Sequence, residues 1–180
     1  VCVDSVPSAL AAVRGGADRL ELCGNLVIGG TTPDIALYKE IRKHTDIPIR
    51  ALLRPRFGDF CYDQYEYRIL LENVAMFKDV KAEGVVIGSL NPDGTLDMKQ
   101  MEGLVRAADG IGVTLHRAID MSRDGLETLH AAKAVGVDTI LTSGMESNCV
   151  KGSAMIRKMV EAAGEDLTIL VGAGVSAAAL

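Results

Sequence analysis

Short apolar segments alternate with segments of helical periodicity along the whole chain, and this repeat constrains the fold more than any other feature. Seven strands are predicted, at Val1–Asp4, Arg19–Cys23, Ile49–Pro55, Gly84–Gly88, Gly112–Arg117, Thr139–Gly144 and Thr168–Gly174. The predicted helices between them are Ser5–Arg14, Pro33–Lys43, Asp63–Val80, Asp97–Ala108, Arg123–Val135 and Val150–Ala163, and a seventh is expected to begin at Ser176. Apolar strands joined by helical crossovers are typical of parallel sheets covered on both faces.

The regular repeat favours an α/β fold of the TIM-like (β/α)₈ barrel class over an open, doubly wound sheet. The open sheet stays an alternative, but its usual G-x-G-x-x-G turn is missing after the first strand, which continues Asp4-Ser5-Val6-Pro7. Such barrels typically have about 250 residues, and this chain of 180 lacks an eighth strand. We therefore predict a single (β/α) barrel domain over residues 1–180 that lacks its C-terminal segment, unless something else covers the open edge.

Composition excludes several classes of partner. A net charge of −5, a pI near 5.2 and an aromatic content of 4% argue against nucleic-acid binding, which needs positive charge and stacking platforms. No run is apolar enough to span a bilayer and no leader is visible, so we expect a cytoplasmic protein with no membrane partner. The four cysteines follow no C-x-x-C spacing and are expected to be reduced. Val1 opens directly inside a strand, so we expect that further residues precede it in the natural protein.

The loop after the third predicted strand is unusually rich in polar chemistry. It reads Arg54-Pro55-Arg56-Phe57-Gly58-Asp59-Phe60-Cys61-Tyr62. Two guanidinium groups at the end of a strand could clamp an anionic ligand, because each presents its donors in a rigid fork. Alternatively, Arg54 and Arg56 pair with Asp59 and neighbouring acids and only hold the loop in place.

Alternation along the strands predicts which side chains face the barrel interior. Apolar residues such as Leu20, Leu22, Val113 and Leu115 should face the helices. The interior mouth is then expected to hold Cys2, Asp4, Glu21, Cys23, Arg54, His116 and Thr142. Single inward cysteines or histidines are often core residues, but a buried carboxylate such as Glu21 needs Arg54, His116 or a ligand as its partner.

Three other features carry weaker predictions. Gly172 and Gly174 end the last strand where barrels often bind phosphate, although a tight turn also requires glycine. Cys61 and Cys149 have no partner ligands nearby, and no role is assigned to His44 or His130. The methionine pairs at helical spacing are expected to fill gaps in the core.

Seven sequence blocks in one order resemble the CutC copper homeostasis family across nearly the whole chain. They are Val1–Ser5, Gly16–Cys23, Gly29–Pro33, Arg54–Tyr62, His116–Met121, Leu141–Gly144 and Gly172–Val175. The resemblance implies a TIM-like barrel, a cytoplasmic location, a role in copper tolerance, trafficking or storage, and often a homodimer. It also implies Cys2 and Cys23 as the candidate Cu(I) ligands. Phe57 departs from the glycine usual at its position in the family and could narrow the mouth.

The residues leave two functions open. Thiolates suit Cu(I), and the two cysteines belong to neighbouring strands, which supports copper binding without an organic cofactor. Alternatively, the chain is an enzyme for a small anionic or phosphorylated substrate. In that hypothesis Arg54, Arg56 and Asp59 bind the substrate with Gly172 and Gly174, and Glu21 and His116 are the catalytic acid and base.

Overall fold

The structure is a computed structural model that describes residues 1–176. The helix predicted from Ser176 lies outside the described residues. Within them, no helix combines the length and the apolar character needed to cross a membrane.

All seven predicted strands are present. They are β1 (Cys2–Val3), β2 (Leu20–Leu22), β3 (Ile49–Leu52), β4 (Gly84–Ile87), β5 (Gly112–Leu115), β6 (Thr139–Thr142) and β7 (Thr168–Val171). Each ends one to three residues earlier than predicted, because the residues after the strand leave the ladder and form the loops that carry polar side chains.

All six predicted helices in the described residues are present as well. They are α1 (Val6–Arg14), α2 (Ile35–Arg42), α3 (Gln64–Asp79), α4 (Met98–Ala107), α5 (Gly125–Ala134) and α6 (Ser153–Ala163). Two short 3-10 helices, Leu26–Ile28 and Arg117–Met121, were not predicted. The pattern Asp63-x-x-Glu66 predicts a capping box at the start of α3, and the structure has it: Asp63 accepts from the amides of Tyr65 and Glu66, while the Glu66 side chain accepts from the Asp63 amide.

The cap of α2 is not the residue that the sequence pattern predicts. Thr32 before Pro33 is the pattern of a cap followed by a first-turn residue, but the helix begins later and Asp34 accepts the capping hydrogen bond from the Ala36 amide at 2.6 Å. Thr32 instead pairs with the end of the neighbouring strand, where its hydroxyl accepts from the Arg54 amide at 2.9 Å. The Thr32 hydroxyl is therefore bonded to a residue that follows β3 and not to the start of α2.

The described chain divides into two compact units. The first consists of residues 1–59, 63–87 and 106–112, and the second of residues 60–62, 88–105 and those from 113 onward. In the first unit β1, β2, β3 and β4 are parallel neighbours in chain order. In the second, β5, β6 and β7 follow the same rule. Sequential order without a reversal is the barrel pattern and not that of a doubly wound sheet.

Each unit has an apolar core between its strands and helices. In the first unit Leu20, Ile49 and Val85 are fully buried, as are Tyr38 and Phe77, whose rings meet edge to face at 5.9 Å. In the second, α5 packs against α6 and α6 against β7, and Leu129, Ala132 and Met159 are fully buried. Leu20, Leu22, Val113 and Leu115, which alternation predicts to face the helices, are buried as expected, whereas Val1, predicted to face the same way, is 67% exposed.

Candidate functional site

The first unit places a row of polar side chains across neighbouring strands. Cys2 is opposite Glu21, and Glu21 is opposite Arg50, in the parallel ladders of β1, β2 and β3. Residues directly opposite each other in a parallel sheet point to the same face. The predicted grouping of Cys2 with Glu21 is therefore present, and Arg50 extends it.

Cys2 and Glu21 interact directly. The Cys2 thiol lies 3.8 Å from Oε2 of Glu21, and the guanidinium of Arg19 reaches the other carboxylate oxygen at 3.4 Å. Loss of solvent around the sulfur raises the pKa of Cys2, and the negative charge of Glu21 raises it further. Burial likewise raises the pKa of Glu21, while Arg19 and Arg50 act in the opposite direction. Arg19, two residues before Glu21, is thus a partner that the sequence reasoning did not name.

Cys23 is nearly enclosed and keeps its proton. It is 3% exposed, and its thiol donates a weak hydrogen bond to the Val3 carbonyl at 3.5 Å. Desolvation, followed by the charges of Cys2 and Asp4, raises its pKa to about 12. Gly30 packs against it so closely that a Cβ at this glycine would lie 3.3 Å from Cys23 Cβ. Both candidate thiols are therefore neutral at pH 7 and lose protons only to a strongly bound metal or base.

The donor set fits a soft monovalent ion better than a hard divalent one. Among residues 1–176, no three side chains of histidine, cysteine, aspartate or glutamate are grouped as a metal site. Cys2 and Cys23 supply two sulfurs from neighbouring strands, and soft sulfur ligands select Cu(I). Binding of Cu(I) by Cys2 and Cys23 stays a prediction.

Arg54 is a structural link between two loops. It is 8% exposed, and its guanidinium donates to the Gly30 carbonyl at 3.2 Å and to the Gly58 carbonyl at 2.7 Å. These bonds join the loop after β2 to the loop after β3. Two nitrogens of the Arg54 guanidinium, which an anion clamp would use, therefore donate to backbone carbonyls.

Arg56 is also bonded within the protein. Its Nε donates to Glu66 at 2.5 Å, and its Nη2 donates to Asp59 at 3.0 Å. Both acids raise the pKa of Arg56 by hydrogen bonding. The alternative in which the arginines hold the loop describes these contacts, and binding of an anion by Arg54, Arg56 and Asp59 stays a prediction.

His116 lies in the second unit, at the start of the 3-10 helix Arg117–Met121. Its Nδ1 accepts from the Ala118 amide at 3.1 Å, so a neutral ring carries its proton on Nε2. The ring packs on Phe60, with centroids 4.8 Å apart, and Gly88 leaves it room, since a Cβ there would come within 2.5 Å of the ring. Whether His116 acts together with Glu21 stays a prediction.

A dense hydrogen-bond network surrounds Asp120 in the same unit. Its carboxylate accepts from the Thr142 hydroxyl at 2.5 Å, the Ser143 amide at 2.9 Å, the Met145 amide at 3.1 Å and Arg117 Nε at 2.8 Å. Burial alone would raise the pKa of Asp120, but the bonds from these groups outweigh it and hold the pKa below its ordinary value. Thr142, which was predicted to lie at the barrel mouth, donates its hydroxyl proton to Asp120 in this network.

The glycines after β7 form a turn. The Gly172 amide donates to the Thr142 carbonyl at 2.9 Å, and Gly174 has a φ of 81°. A positive φ is the conformation for which glycine is preferred, so the turn accounts for Gly174 by itself. Phosphate binding at Gly172 and Gly174 stays a prediction.

Sequence reasoning missed Arg50 and Asp120. Arg50 could have been found from the alternation of side chains along its strand. It lies two residues before Leu52 and four before Arg54, so the three side chains share one face. Gly84 accommodates its side chain, since a Cβ there would lie 2.9 Å from Arg50 Cγ. Asp120 gives no such signal, because the Thr142 and Ser143 groups that bind it are more than 20 residues away.

Two named proteins are similar to this chain over nearly its whole length. A protein from Photobacterium profundum named as a family protein CutC is 41% identical over 177 residues, covering 98% of this chain and 72% of that protein. The human copper homeostasis protein cutC homolog is 37% identical over 176 residues, covering 98% of this chain and 64% of its own length.

A solved structure has the same fold. It comes from Streptococcus agalactiae, is described as a copper homeostasis protein CutC, and matches with a TM-score of 0.92 at 28% identity over 98% of this chain and 88% of its own. The TIM-like class predicted from the repeat, with seven strands in these residues, is thereby confirmed. The family model of CutC matches residues 1–180. This chain belongs to the CutC family.

Proposed function

We propose that this protein acts in copper homeostasis in the cytoplasm by binding Cu(I) between Cys2 and Cys23. The names of its relatives support the copper role. The observation that carries the binding proposal is the placement of both thiols on β1 and at the end of β2, beside the Glu21 carboxylate. Sulfur is the donor that Cu(I) prefers, and a negative carboxylate offsets the positive charge of the ion.

The surrounding charges define how the metal would enter. Arg19 and Arg50 oppose a cation, and Glu21 compensates them in part. Binding must also expel the thiol protons, because desolvation holds both pKa values high. Such a site takes up copper through exchange of protons for metal and would release it when protons return.

A chelator competition assay under reducing conditions tests this site. We expect Cys2→Ser with Cys23→Ser to abolish high-affinity Cu(I) binding, and the matched variant Cys61→Ser with Cys149→Ser to retain it. None of these four cysteines belongs to a disulfide, so the control removes the same number of sulfurs. Equal affinity in the two double variants would overturn the proposed site.

The enzyme hypothesis is supported by one observation: burial raises the pKa of the Glu21 carboxyl above its ordinary value, as is common for groups that transfer protons. We propose as the second candidate an enzyme of unassigned reaction whose small anionic substrate lies near Arg54, Arg56, Asp59, Gly172 and Gly174. Against it, both arginines already donate to protein groups. A crystal grown with sulfate should show the anion at these residues, and its absence there would remove the candidate.

A further inference from the structure

Arg19 engages one of the two carboxylate oxygens of Glu21. Its Nη2 lies 3.4 Å from Oε1 of Glu21, while the thiol of Cys2 lies 3.8 Å from Oε2. The side chain of Glu21 is 8% exposed and that of Arg19 is 26% exposed, so solvent screens this pair of charges only in part. Arg50 stands opposite Glu21 on β3 and brings a second positive charge to the same face of the sheet. Two cations therefore lie near the thiol of Cys2.

Monovalent and divalent metal ions make different demands on these groups. Soft thiolate ligands select Cu(I), whereas Zn(II) takes four ligands in a tetrahedron and also accepts carboxylate oxygen. Cys2 and Cys23 supply two sulfurs, so a divalent ion would need the Glu21 carboxylate as its third protein ligand. One oxygen of that carboxylate is bonded to Arg19, and the other faces the Cys2 thiol. The carboxylate is therefore withheld from a divalent ion, and a soft monovalent ion does not require it.

Electrostatic repulsion acts in the same direction as the supply of ligands. The Coulomb energy of an ion beside a fixed cation is proportional to the charge of the ion, so Arg19 and Arg50 repel Zn(II) twice as strongly as Cu(I). Burial raises the pKa of Glu21 and both arginines act against that rise, so their field reaches the carboxylate. We propose that Arg19, supported by Arg50, makes the thiol pair selective for a soft monovalent ion over divalent ions. This inference rests on the proposed copper site and adds to it the choice of metal.

An ion pair with only a structural role would have a different consequence. If Arg19 served only to neutralise the buried Glu21 carboxylate, its loss would lower the stability of the fold and leave the relative affinities for different metals unchanged. The ratio of Zn(II) to Cu(I) affinity is therefore the quantity that separates the two roles.

Competition titrations with Cu(I) under reducing conditions, and separately with Zn(II), test the role of Arg19. In Arg19→Gln we expect the Zn(II) affinity to rise by about tenfold or more and the Cu(I) affinity by no more than about threefold. The divalent ion gains more because it is relieved of twice the repulsion and also obtains the freed carboxylate oxygen. Arg19→Lys keeps the charge and should retain the original ratio of affinities to within about twofold. Circular dichroism checks that each variant is folded.

Two further variants complete the experiment. Arg14→Gln is the matched control, because it removes the same charge from an exposed position at the end of α1 and should leave both affinities unchanged. Glu21→Gln added to Arg19→Gln should abolish the gain in Zn(II) affinity, because the third ligand is then lost. A gain that persists without the carboxylate would show that Arg19 does not act through Glu21 and would overturn the proposal.

The outcomes for selectivity and for the copper site itself are distinguishable. Suppose that Cu(I) binding depends on Cys2 and Cys23 but Arg19→Gln changes the ratio of Zn(II) to Cu(I) affinity by less than about threefold. That result would overturn the selectivity inference and leave the proposed copper site standing. Cu(I) binding that survives Cys2→Ser with Cys23→Ser would instead overturn the proposed site, and this inference with it.

Discussion

The protonation of two cysteines governs how the proposed copper site should respond to pH. Burial raises the pKa of Cys2 above its ordinary value and that of Cys23 to about 12. Both thiols are therefore protonated from pH 6 to pH 8, and each must lose its proton to bind Cu(I). The apparent Cu(I) affinity should rise about tenfold per pH unit for each thiol. Competition titrations at several pH values check this, and a flat profile would exclude coordination by these thiols.

Asp120 should stabilise the fold most strongly at neutral pH. Its carboxylate accepts bonds from Thr142, Ser143, Met145 and Arg117. An amide in its place cannot accept all of them, so Asp120→Asn should lower the free energy of unfolding by about 3 kcal/mol. The exposed Asp109→Asn is the control and should have little effect in the same urea titration. A change below 0.5 kcal/mol, on the scale of ordinary surface substitutions, would show that the network contributes little.

The same carboxylate predicts a direction of pH dependence. Because its folded-state pKa is lowered, its contribution is fully present above the unfolded-state value of about 3.9 and is lost as the pH falls through the folded-state value. Urea titrations from pH 7 downward should therefore show the stability gap between the protein and Asp120→Asn narrowing in acid. A difference in stability that widens in acid would show that folding raises the pKa of Asp120 and does not lower it.

Side-chain alternation along strands was sufficient to predict one contact of the site. It grouped Cys2 with Glu21 correctly, because side chains alternate between the two faces of every strand. It could not find Thr32 bonded to Arg54, or Asp120 bonded to Thr142, because those contacts join elements more than 20 residues apart. Local pattern carries no information on such partners.

At the scale of elements, Arg54 should order two loops at once. It holds the Gly30 and Gly58 carbonyls through two different nitrogens, and lysine has no fork that could bridge both. In Arg54→Lys we expect faster amide hydrogen exchange at Gly30 and Thr31, which close the loop after β2 on Asn25 and Gly24. Exchange in α6 is the internal reference and should not change. Unaltered exchange in the loop would show that Arg54 is not what orders it.

Strands and helices were predictable from the sequence, and their ends were less so. Asp63 and Glu66 predict the start of α3, because the two partners of a capping box are only three residues apart in the sequence. The two 3-10 helices had no such signal. One of them begins at His116, whose ring caps it by accepting from the Ala118 amide, a role that residue type alone does not predict.

At the scale of the whole molecule, the strand-helix repeat was sufficient for the fold class. Within each unit, strands that follow one another in the chain are neighbours in the sheet, which is the usual result of strand-helix-strand crossovers. The function was less accessible, since no arrangement of three metal-ligating side chains of histidine, cysteine, aspartate or glutamate occurs in residues 1–176. The copper role rests on family membership and on two sulfurs, and the extent of the barrel over residues 1–180 stays a prediction.

Anomalous scattering at the copper absorption edge tests the central claim most directly. Crystals would be soaked anaerobically with Cu(I), and the position of the metal compared with the sulfurs of Cys2, Cys23, Cys61 and Cys149. The account predicts a single strong peak within bonding distance of the Cys2 and Cys23 sulfurs, next to the Glu21 carboxylate. A peak at Cys61 or Cys149 instead, or none at Cys2 and Cys23 in crystals that contain bound copper, would contradict it.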